Sequence, residues 1–116
     1  MDNIRGDTTK FDAGKPMWDL LDLKVIERIV EVLTYGAHKY APNGWRSVPD
    51  ADKRYHAALM RHLAAYQSGE YFDEETGLTH LAHAACNIYF LLAFEQGKLY
   101  DTCKRIEIDQ RCNTTK

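Results

Sequence analysis

Two histidines and an asparagine recur at helical spacing in the most apolar stretch of the chain, residues 77–96. His80, His83 and Asn87 lie at positions i, i+3 and i+7. At 3.6 residues per turn these three side chains fall along one stripe of a helix. Two imidazoles at this spacing can ligate a transition metal, and neutral histidine and asparagine can also bond to base edges or sugar hydroxyls. The stripe therefore predicts a polar site on an otherwise apolar helix.

An acidic loop, residues 69–77, directly precedes this helix and offers the carboxylates that a metal site needs. Because two histidines are fewer than the three or four ligands of a metal site, Glu70, Asp73 or Glu31 would have to complete it. Simpler explanations stay open. Acidic residues before a helix favour its positive amino end, and Glu27 and Glu31, one turn apart, also fit a solvated helix face.

The same part of the chain also suits a nucleotide pocket that requires no metal. Protonated histidine, Arg61 and Lys39 can meet phosphate oxygens, and an aromatic face that stacks on a base contributes roughly 1–3 kcal/mol. Trp45 lies in a connection, where ligands are often bound, although it would also serve as a lid over the core. The predicted nucleotide-binding residues are Tyr35, Lys39, Tyr40, Trp45, Arg61, His62, Tyr66, His80, His83 and Asn87.

Apolar positions follow a helical period throughout, which predicts an all-α fold. We expect three main helices, over 17–40 with a break near Asp22 as a cap, over 49–68 and over 77–96. Leu81, Ala85, Ile88 and Leu92 have the spacing of a helix that packs on other helices. The expected architecture is a compact helical bundle with short terminal helical segments, completed by homo-oligomerisation. We divide the chain into an extended arm (1–16), a helical nucleotide-binding core (17–97) and a short carboxy-terminal segment (98–116), with Leu99, Cys103 and Ile106 turned inward.

Composition excludes several functional classes. The 116 residues carry a net charge of -2, which argues against general nucleic-acid binding through a basic face. Three cysteines without CxxC spacing predict neither a disulfide framework nor a structural zinc site. The amino terminus lacks the apolar core of a signal peptide, and no apolar run reaches the roughly 20 residues that span a bilayer. We therefore expect a cytoplasmic protein without a membrane partner.

Three segments together resemble a known family. They read KFDAGKPMWDLL, EVLTYGAHKYAPNGW and RHLAAYQSGEYFDEETGLTHLAHAACNIYFLL. This set is similar to the amino-terminal domain of dATP/dGTP diphosphohydrolases, a family common in bacteriophages. The resemblance covers about residues 9–95.

The resemblance implies hydrolysis of deoxypurine triphosphates to monophosphate and pyrophosphate, and a link to the all-α MazG-like pyrophosphohydrolases. Those enzymes hold magnesium with an ExxE and an ExxD motif. This sequence reads HLAH where they have ELAD, and Glu27 and Glu31 have ExxxE spacing. Magnesium prefers oxygen ligands, so the two histidines weaken the case for that mechanism.

Two functions follow. The first is a metal-dependent nucleoside triphosphate pyrophosphohydrolase, with Glu31, Glu70 and Asp73 as the catalytic residues and the ligands of Mg²⁺ or Mn²⁺. The alternative is a non-catalytic nucleotide-binding protein, without a cofactor, that sequesters a cyclic or modified nucleotide signal of host antiviral defence. In a phage-encoded protein either function would be exercised in the host cytoplasm.

Overall fold

The described part of the chain, residues 14–105, folds into three α-helices, which confirms the all-α prediction. The computed structural model describes the backbone of residues 14–105 and the side chains of residues 14–99. Most of the expected amino-terminal arm, residues 1–13, lies outside this part, as do Cys103, Ile106 and Cys112 or their side chains. The helices are α1 (Leu23–Lys39), α2 (Ala51–Gln67) and α3 (His80–Arg105), with 3₁₀ turns at Trp18–Leu20 and Gly44–Ser47.

Helix α1 begins where the sequence places its cap. Leu21 is extended, and the Asp22 side chain accepts a hydrogen bond of 2.9 Å from the backbone N–H of Lys24. This bond satisfies one of the amide groups that lack an intrahelical partner in the first turn. The helix ends at Lys39 with Tyr40 as its carboxy-terminal cap, two residues before Pro42, and Asn43 then takes a left-handed conformation (φ 62°) that turns the chain towards α2.

Small residues form the inner face of α3. Ala82 and Cys86 are buried, and Phe90 and Phe94 continue the same face as half-buried side chains. Because alanine and cysteine are small, α2 packs closely along α3, while α1 makes a smaller contact with it. The core is therefore centred on the amino-terminal half of α3.

Cys86 is the most deeply buried of these residues. Its side chain is 0% exposed, and it is a free thiol. Burial raises the pKa of this thiol to about 12, since a thiolate would be poorly solvated there. Cys86 is therefore a structural residue that stays protonated at neutral pH.

The prediction that the stripe of large apolar residues on α3 packs on the other helices is wrong within one copy of the chain. Leu81, Ile88 and Leu92 are 45%, 51% and 56% exposed, so they lie largely on the surface and not in the core. The spacing of large apolar residues identified a true helical face, but the smaller residues on the opposite side determine where the other helices pack. Among the residues that the structure describes, a large apolar stripe on α3 is therefore left exposed.

Helix α3 also continues through Gly97 to Arg105, beyond the end that the sequence suggested. Leu99, expected to point inward, is 62% exposed. A single glycine weakens a helix by only about 1 kcal/mol relative to alanine, which does not end a helix of this length. Within residues 14–105 no helix combines the length and apolar character needed to cross a bilayer.

Candidate functional site

The loop between α2 and α3 is folded into a defined structure that fixes the acidic residues. Gly69 and Gly77 have φ values of 99° and 75°, which glycine adopts without steric cost. Phe72 and Thr79 form an antiparallel bridge across the loop, and the Gly77 N–H donates to the carbonyl of Asp73 over 2.8 Å. The loop therefore presents its carboxylates in fixed positions at the start of α3.

His80 connects this loop with α2. Its imidazole is buried, with its Nε2 2.9 Å from Oε2 of Glu70 and its Nδ1 2.9 Å from Nδ1 of His62. A carboxylate only accepts, so Nε2 of His80 carries the proton and donates it to Glu70. In the neutral ring the Nδ1 lone pair of His80 consequently faces His62.

Thr76 is the centre of a second set of hydrogen bonds. Its hydroxyl lies 3.1 Å from Oδ2 of Asp73, 3.1 Å from the Leu78 N–H and 2.7 Å from Nε2 of His83. A hydroxyl has one proton and two acceptor sites. Since it donates to Asp73 and accepts from Leu78, it accepts a proton from Nε2–H of His83. All three of its bonding positions are used.

The two groups of hydrogen bonds meet where His62 stacks on His83. Their ring centroids are 4.5 Å apart and their planes differ by 8°. Burial lowers the pKa of both histidines, and the neighbouring imidazoles lower that of His62 further. Burial alone would raise the pKa of Asp73, but hydrogen bonds from Thr76 and the nearby histidines bring it below its usual value. Neutral imidazoles next to an ionised carboxylate therefore define the cluster.

The lowered pKa values of His62 and His83 predict a loss of stability in mild acid. As pH falls below about 6.5, these histidines become protonated in the unfolded chain while they stay neutral in the folded chain. The free energy of unfolding therefore decreases. The carboxylates with lowered pKa, Asp73 and Glu75, add their own loss only at more acidic pH, below about 4.3. In metal-free buffer, urea midpoints at pH 7.5 and 5.5 should differ less for His62→Gln than for the unsubstituted chain. His56→Gln, an exposed site on the same helix, should keep the full difference; equal pH dependence of the two variants would contradict the prediction.

Replacing Thr76 with valine tests whether its hydrogen bonds hold the cluster together. The change leaves Asp73 and His83 without a shared partner at nearly constant volume, which should lower the free energy of unfolding by about 2 kcal/mol. Thr34→Val is the matched control, because the exposed Thr34 hydroxyl bonds only to the carbonyl of Val30 in its own helix. That control should change stability by less than about 0.5 kcal/mol in urea titrations. Similar losses in both variants would show that the Thr76 bonds contribute nothing specific.

An open cleft of about 1230 Å³ lies beside this cluster, between α1, α2 and α3. Most of the residues predicted from sequence line it. They are Tyr35, Lys39, Tyr40, Trp45, Arg61, His62, Asp73, His83 and Asn87. Asn87 is 7% exposed, and its amide nitrogen donates to the carbonyl of His83 over 2.9 Å. The cleft is large enough for a nucleotide, for which pockets of roughly 300–1,000 Å³ are typical.

The positive charges of the cleft differ in their surroundings. Lys39 forms an ion pair with Glu75, which also accepts a hydrogen bond of 3.3 Å from the Tyr35 hydroxyl. The hydrogen bond to Glu75 raises the pKa of Lys39, so its ammonium stays charged. Arg54 and Arg61 lie seven residues apart on one face of α2, and both line the cleft. These two guanidinium groups place positive charge along the α2 side of the cleft.

Trp45 packs as part of the core. Its ring stacks on Phe90 with centroids 4.5 Å apart, and Phe94 approaches it edge-on. The guanidinium of Arg46 lies 4.2 Å from the ring centroid, and two groups this close occupy opposite faces. A base could stack on Trp45 only if Arg46 moved away. The lid interpretation of Trp45 therefore accounts for its contacts without a ligand.

Four of the predicted site residues lie outside the lining of the cleft: Glu31, Tyr66, Glu70 and His80. Glu31 forms a salt bridge of 3.1 Å with Arg28 on the surface of α1. Tyr66 lies beside Tyr71, with ring centroids 6.0 Å apart.

The expected trio of metal ligands is not the group that the fold assembles. Among the side chains described, three potential metal-binding residues have ligand atoms within 4.8 Å of one another, and they are His62, Asp73 and His80. Of the expected ligands Glu31, Glu70 and Asp73, only Asp73 belongs to this group. Glu70 contacts it indirectly, through its hydrogen bond to His80.

Sequence reasoning missed three residues that the structure brings to the site. Thr76 had a recognisable signal, because aspartate three residues earlier often accepts from the backbone of a turn, and Asp73 does so here over 3.0 Å. Arg54 had none, since it read as an ordinary exposed charge, and Glu75 was recognised only as one of the carboxylates of the acidic loop. Their positions in the cleft depend on how α2 and the loop pack against α1.

Comparison with known proteins agrees with these observations. The family described as "dATP/dGTP diphosphohydrolase, N-terminal" matches residues 5–103. A protein of Salmonella phage PMBT28 named "dATP/dGTP diphosphohydrolase" is 35% identical over 82 residues, which cover 71% of this chain and 28% of that protein. The chain thus corresponds to less than a third of the length of this relative. No solved structure matches the chain. The chain belongs to the family of dATP/dGTP diphosphohydrolase amino-terminal domains.

Proposed function

We propose that this chain binds a purine deoxynucleoside triphosphate in its cleft and hydrolyses it to monophosphate and pyrophosphate. The observation that carries this proposal is that one cleft combines exposed tyrosines, two arginines and an imidazole–carboxylate cluster. These are the groups that a base, a polyphosphate and a hydrolytic centre respectively require. The related phage protein bears the name of such an activity. The reaction would take place in the cytoplasm of an infected host, where deoxynucleotides are used.

The cleft suggests an orientation for the nucleotide. Tyr40 is 75% exposed at the edge of the cleft, with the Lys39 ammonium 5.2 Å from its ring centroid, and its exposed ring can stack on a base. Arg54 and Arg61 offer planar donors that can bind phosphate oxygens in pairs. A nucleotide with its base near Tyr40 and its phosphates along α2 would bring the α-phosphate towards His62 and Asp73. In this position an ionised Asp73 and a neutral imidazole can accept a proton from an attacking water.

Metal dependence is part of this proposal. A divalent cation bound here would polarise the phosphate and lower the pKa of a bound water. Mg²⁺ prefers oxygen ligands, whereas the assembled group contains two imidazoles and one carboxylate. Mn²⁺ accepts both kinds of ligand, so Mn²⁺ should support turnover better than Mg²⁺.

The test is direct. Purified protein is incubated with each deoxynucleoside and ribonucleoside triphosphate and with Mg²⁺ or Mn²⁺, heat-denatured, and the nucleotides are separated by chromatography. We expect pyrophosphate and dGMP or dAMP, with pyrimidine triphosphates left largely intact. Arg61→Ala should raise KM, while Lys53→Ala, at an exposed site of α2 outside the cleft lining, should not. Intact triphosphates under all conditions would overturn the hydrolase proposal.

A second function is favoured by the replacement of acidic residues with histidines. Only one carboxylate belongs to the assembled group, whereas MazG-like enzymes use several to hold their metal. A chain that binds without hydrolysis would sequester a cyclic or modified nucleotide and would need no cofactor. In the same experiment, extended to cyclic dinucleotides, such a protein would release its ligand intact and only on denaturation.

Association of copies is also part of the proposal, and the exposed stripe of α3 supports it. Leu81, Ala85, Ile88 and Leu92 follow one another at spacings of four, three and four residues, the pattern of a coiled-coil seam, and Leu99 lies one heptad after Leu92. We expect the unsubstituted chain to elute as an oligomer in size-exclusion chromatography with light scattering. Leu92→Glu should place a charge in the seam and shift the protein to the monomer.

Lys53→Glu is the control for this change, since it introduces the same side chain at an exposed polar site of α2. It should leave the oligomer intact. A monomeric unsubstituted chain, or an oligomer unaffected by Leu92→Glu, would show that the stripe is not the interface.

A further inference from the structure

We propose that His62, His80 and Asp73 form a binding site for one divalent transition-metal ion, with Glu70 as the residue that orients His80. The ligand atoms of the three residues lie within 4.8 Å of one another. They come from α2, from the first residue of α3 and from the loop that connects these helices. The site would thus join all three segments through one cation.

The two histidines are close to the spacing of two ligands of one metal ion. The Nδ1 atoms of His62 and His80 lie 2.9 Å apart. Two nitrogens bound to one zinc ion at about 2.1 Å with tetrahedral angles are separated by about 3.4 Å. The two nitrogens would therefore move apart by about 0.5 Å, and the rings would turn their lone pairs towards the ion. In the metal-free protein the same two atoms share a proton as a hydrogen bond.

The contact with Glu70 fixes the tautomer of His80. His80 is 5% exposed and donates its Nε2–H to Glu70, which leaves the Nδ1 lone pair directed at His62. Metal-binding histidines in proteins commonly donate their second ring nitrogen to a carboxylate in this way, which fixes the tautomer and makes the ligating nitrogen more basic. The structure thus holds His80 in the tautomer that a metal requires.

Asp73 supplies the third ligand and is fixed by independent contacts. Its Oδ2 accepts from the backbone and the hydroxyl of Thr76, and an ionised carboxylate has further lone pairs to offer. The stack of His83 on His62 limits rotation of the His62 ring. Asp73 and His62 also line the cleft, so remaining coordination positions would face a bound ligand or water.

Two imidazoles and one carboxylate select the class of metal. Imidazole suits Zn²⁺, Co²⁺, Mn²⁺ and Fe²⁺, whereas Mg²⁺ prefers an all-oxygen shell. We therefore expect one Co²⁺ or Zn²⁺ per chain, bound at least about 100-fold more tightly than Mg²⁺. Any part that this ion plays in hydrolysis rests on the proposed function, but its binding does not.

The experiment measures the metal directly. The full chain is treated with a chelator, dialysed, and titrated with Co²⁺, Zn²⁺, Mn²⁺ and Mg²⁺ by calorimetry, with the visible absorption of Co²⁺ as a signature of nitrogen ligation. His62→Gln and Asp73→Asn should each weaken Co²⁺ binding at least about 100-fold and change or abolish the spectrum. Asn keeps an oxygen that can accept from Thr76, so the loop should stay folded, as circular dichroism would verify.

Matched controls lie next to the proposed ligands. His56→Gln removes an exposed histidine from the same helix, and Glu74→Gln removes an exposed carboxylate next to Asp73. Both should bind Co²⁺ like the unsubstituted chain. Glu70→Gln should weaken binding about 10- to 100-fold while the stoichiometry and the Co²⁺ spectrum persist, the signature of a positioning residue and not of a ligand.

Two results would overturn the metal site: no Co²⁺ or Zn²⁺ binding to the unsubstituted chain, or binding that His62→Gln and Asp73→Asn leave at the level of the controls. Failure of the hydrolase proposal would look different. In that case Co²⁺ would bind as described while every triphosphate remained intact. Conversely, if His62→Gln left turnover with Mg²⁺ unchanged, the hydrolase proposal would stand and this metal site would have no part in the reaction.

Discussion

Replacing Asp73 with asparagine is expected to reduce pyrophosphate release from dGTP or dATP by about 100-fold or more. The substitution keeps the shape of the side chain and an oxygen for the Thr76 hydrogen bonds. It removes the negative charge that can hold a cation and accept a proton from water, functions that each contribute factors of about 100 or more. In the proposed binding mode the nucleotide is held by Arg54, Arg61 and Tyr40, so its affinity should change little.

The measurement is a steady-state assay of pyrophosphate release, with nucleotide affinity followed separately by calorimetry. Glu74→Gln is the control, because it removes the adjacent exposed charge and should retain full turnover. Glu31→Gln should also remain active, since Glu31 is paired with Arg28 away from the cluster. An Asp73→Asn variant with normal kcat would exclude this carboxylate from catalysis.

Trp45→Ala is expected to lower the free energy of unfolding by about 3 kcal/mol. The substitution removes the stack on Phe90 and the edge contact with Phe94, and it leaves a void between the connection and α3. Because Trp45 is only half-buried, the loss should fall at the lower end of the range for buried tryptophans. Urea unfolding followed by circular dichroism at 222 nm measures the effect without relying on tryptophan fluorescence.

The chain provides an internal control for this prediction. Trp18, in the 3₁₀ turn before α1, is 77% exposed, and Trp18→Ala should change stability by no more than about 0.5 kcal/mol. Equal effects of the two substitutions would mean that the aromatic contacts of Trp45 contribute little. A Trp45 variant that loses nucleotide affinity but no stability would support the stacking function over the lid.

The sequence was sufficient to locate the helices, although not the carboxy-terminal end of α3, because most of their signals are local. Asp22 predicts its own cap, and proline and glycine after Tyr40 predict the end of α1. The inner face of α3 was not predictable in the same way. Leu81 and Ile88 carry the stronger apolar signal, yet the side with Ala82 and Cys86 packs on α2, because close approach of two helices depends on small residues as much as on hydrophobic ones.

The sequence predicted most of the residues of the candidate site, but not which of them contact one another. The HxxHxxxN spacing placed His80 and His83 on one stripe, but it did not show that His80 bonds to Glu70 while His83 bonds to Thr76. Nor could spacing show that His62, eighteen residues earlier, lies between them. Such contacts are set by the path of the loop, which depends on Gly69 and Gly77 and has no periodicity of its own.

Because Cys86 is completely buried, the reactivity of its thiol reports how often the packed helices separate locally. A thiol that is protonated and shielded from solvent reacts with iodoacetamide only after α2 and α3 have separated locally. The alkylation rate at this one position, read by mass spectrometry apart from Cys103 and Cys112, therefore reports how often the interface opens. An ion held between His62 on α2 and His80 on α3 would oppose that separation, so it should slow the labelling of a cysteine that it never touches.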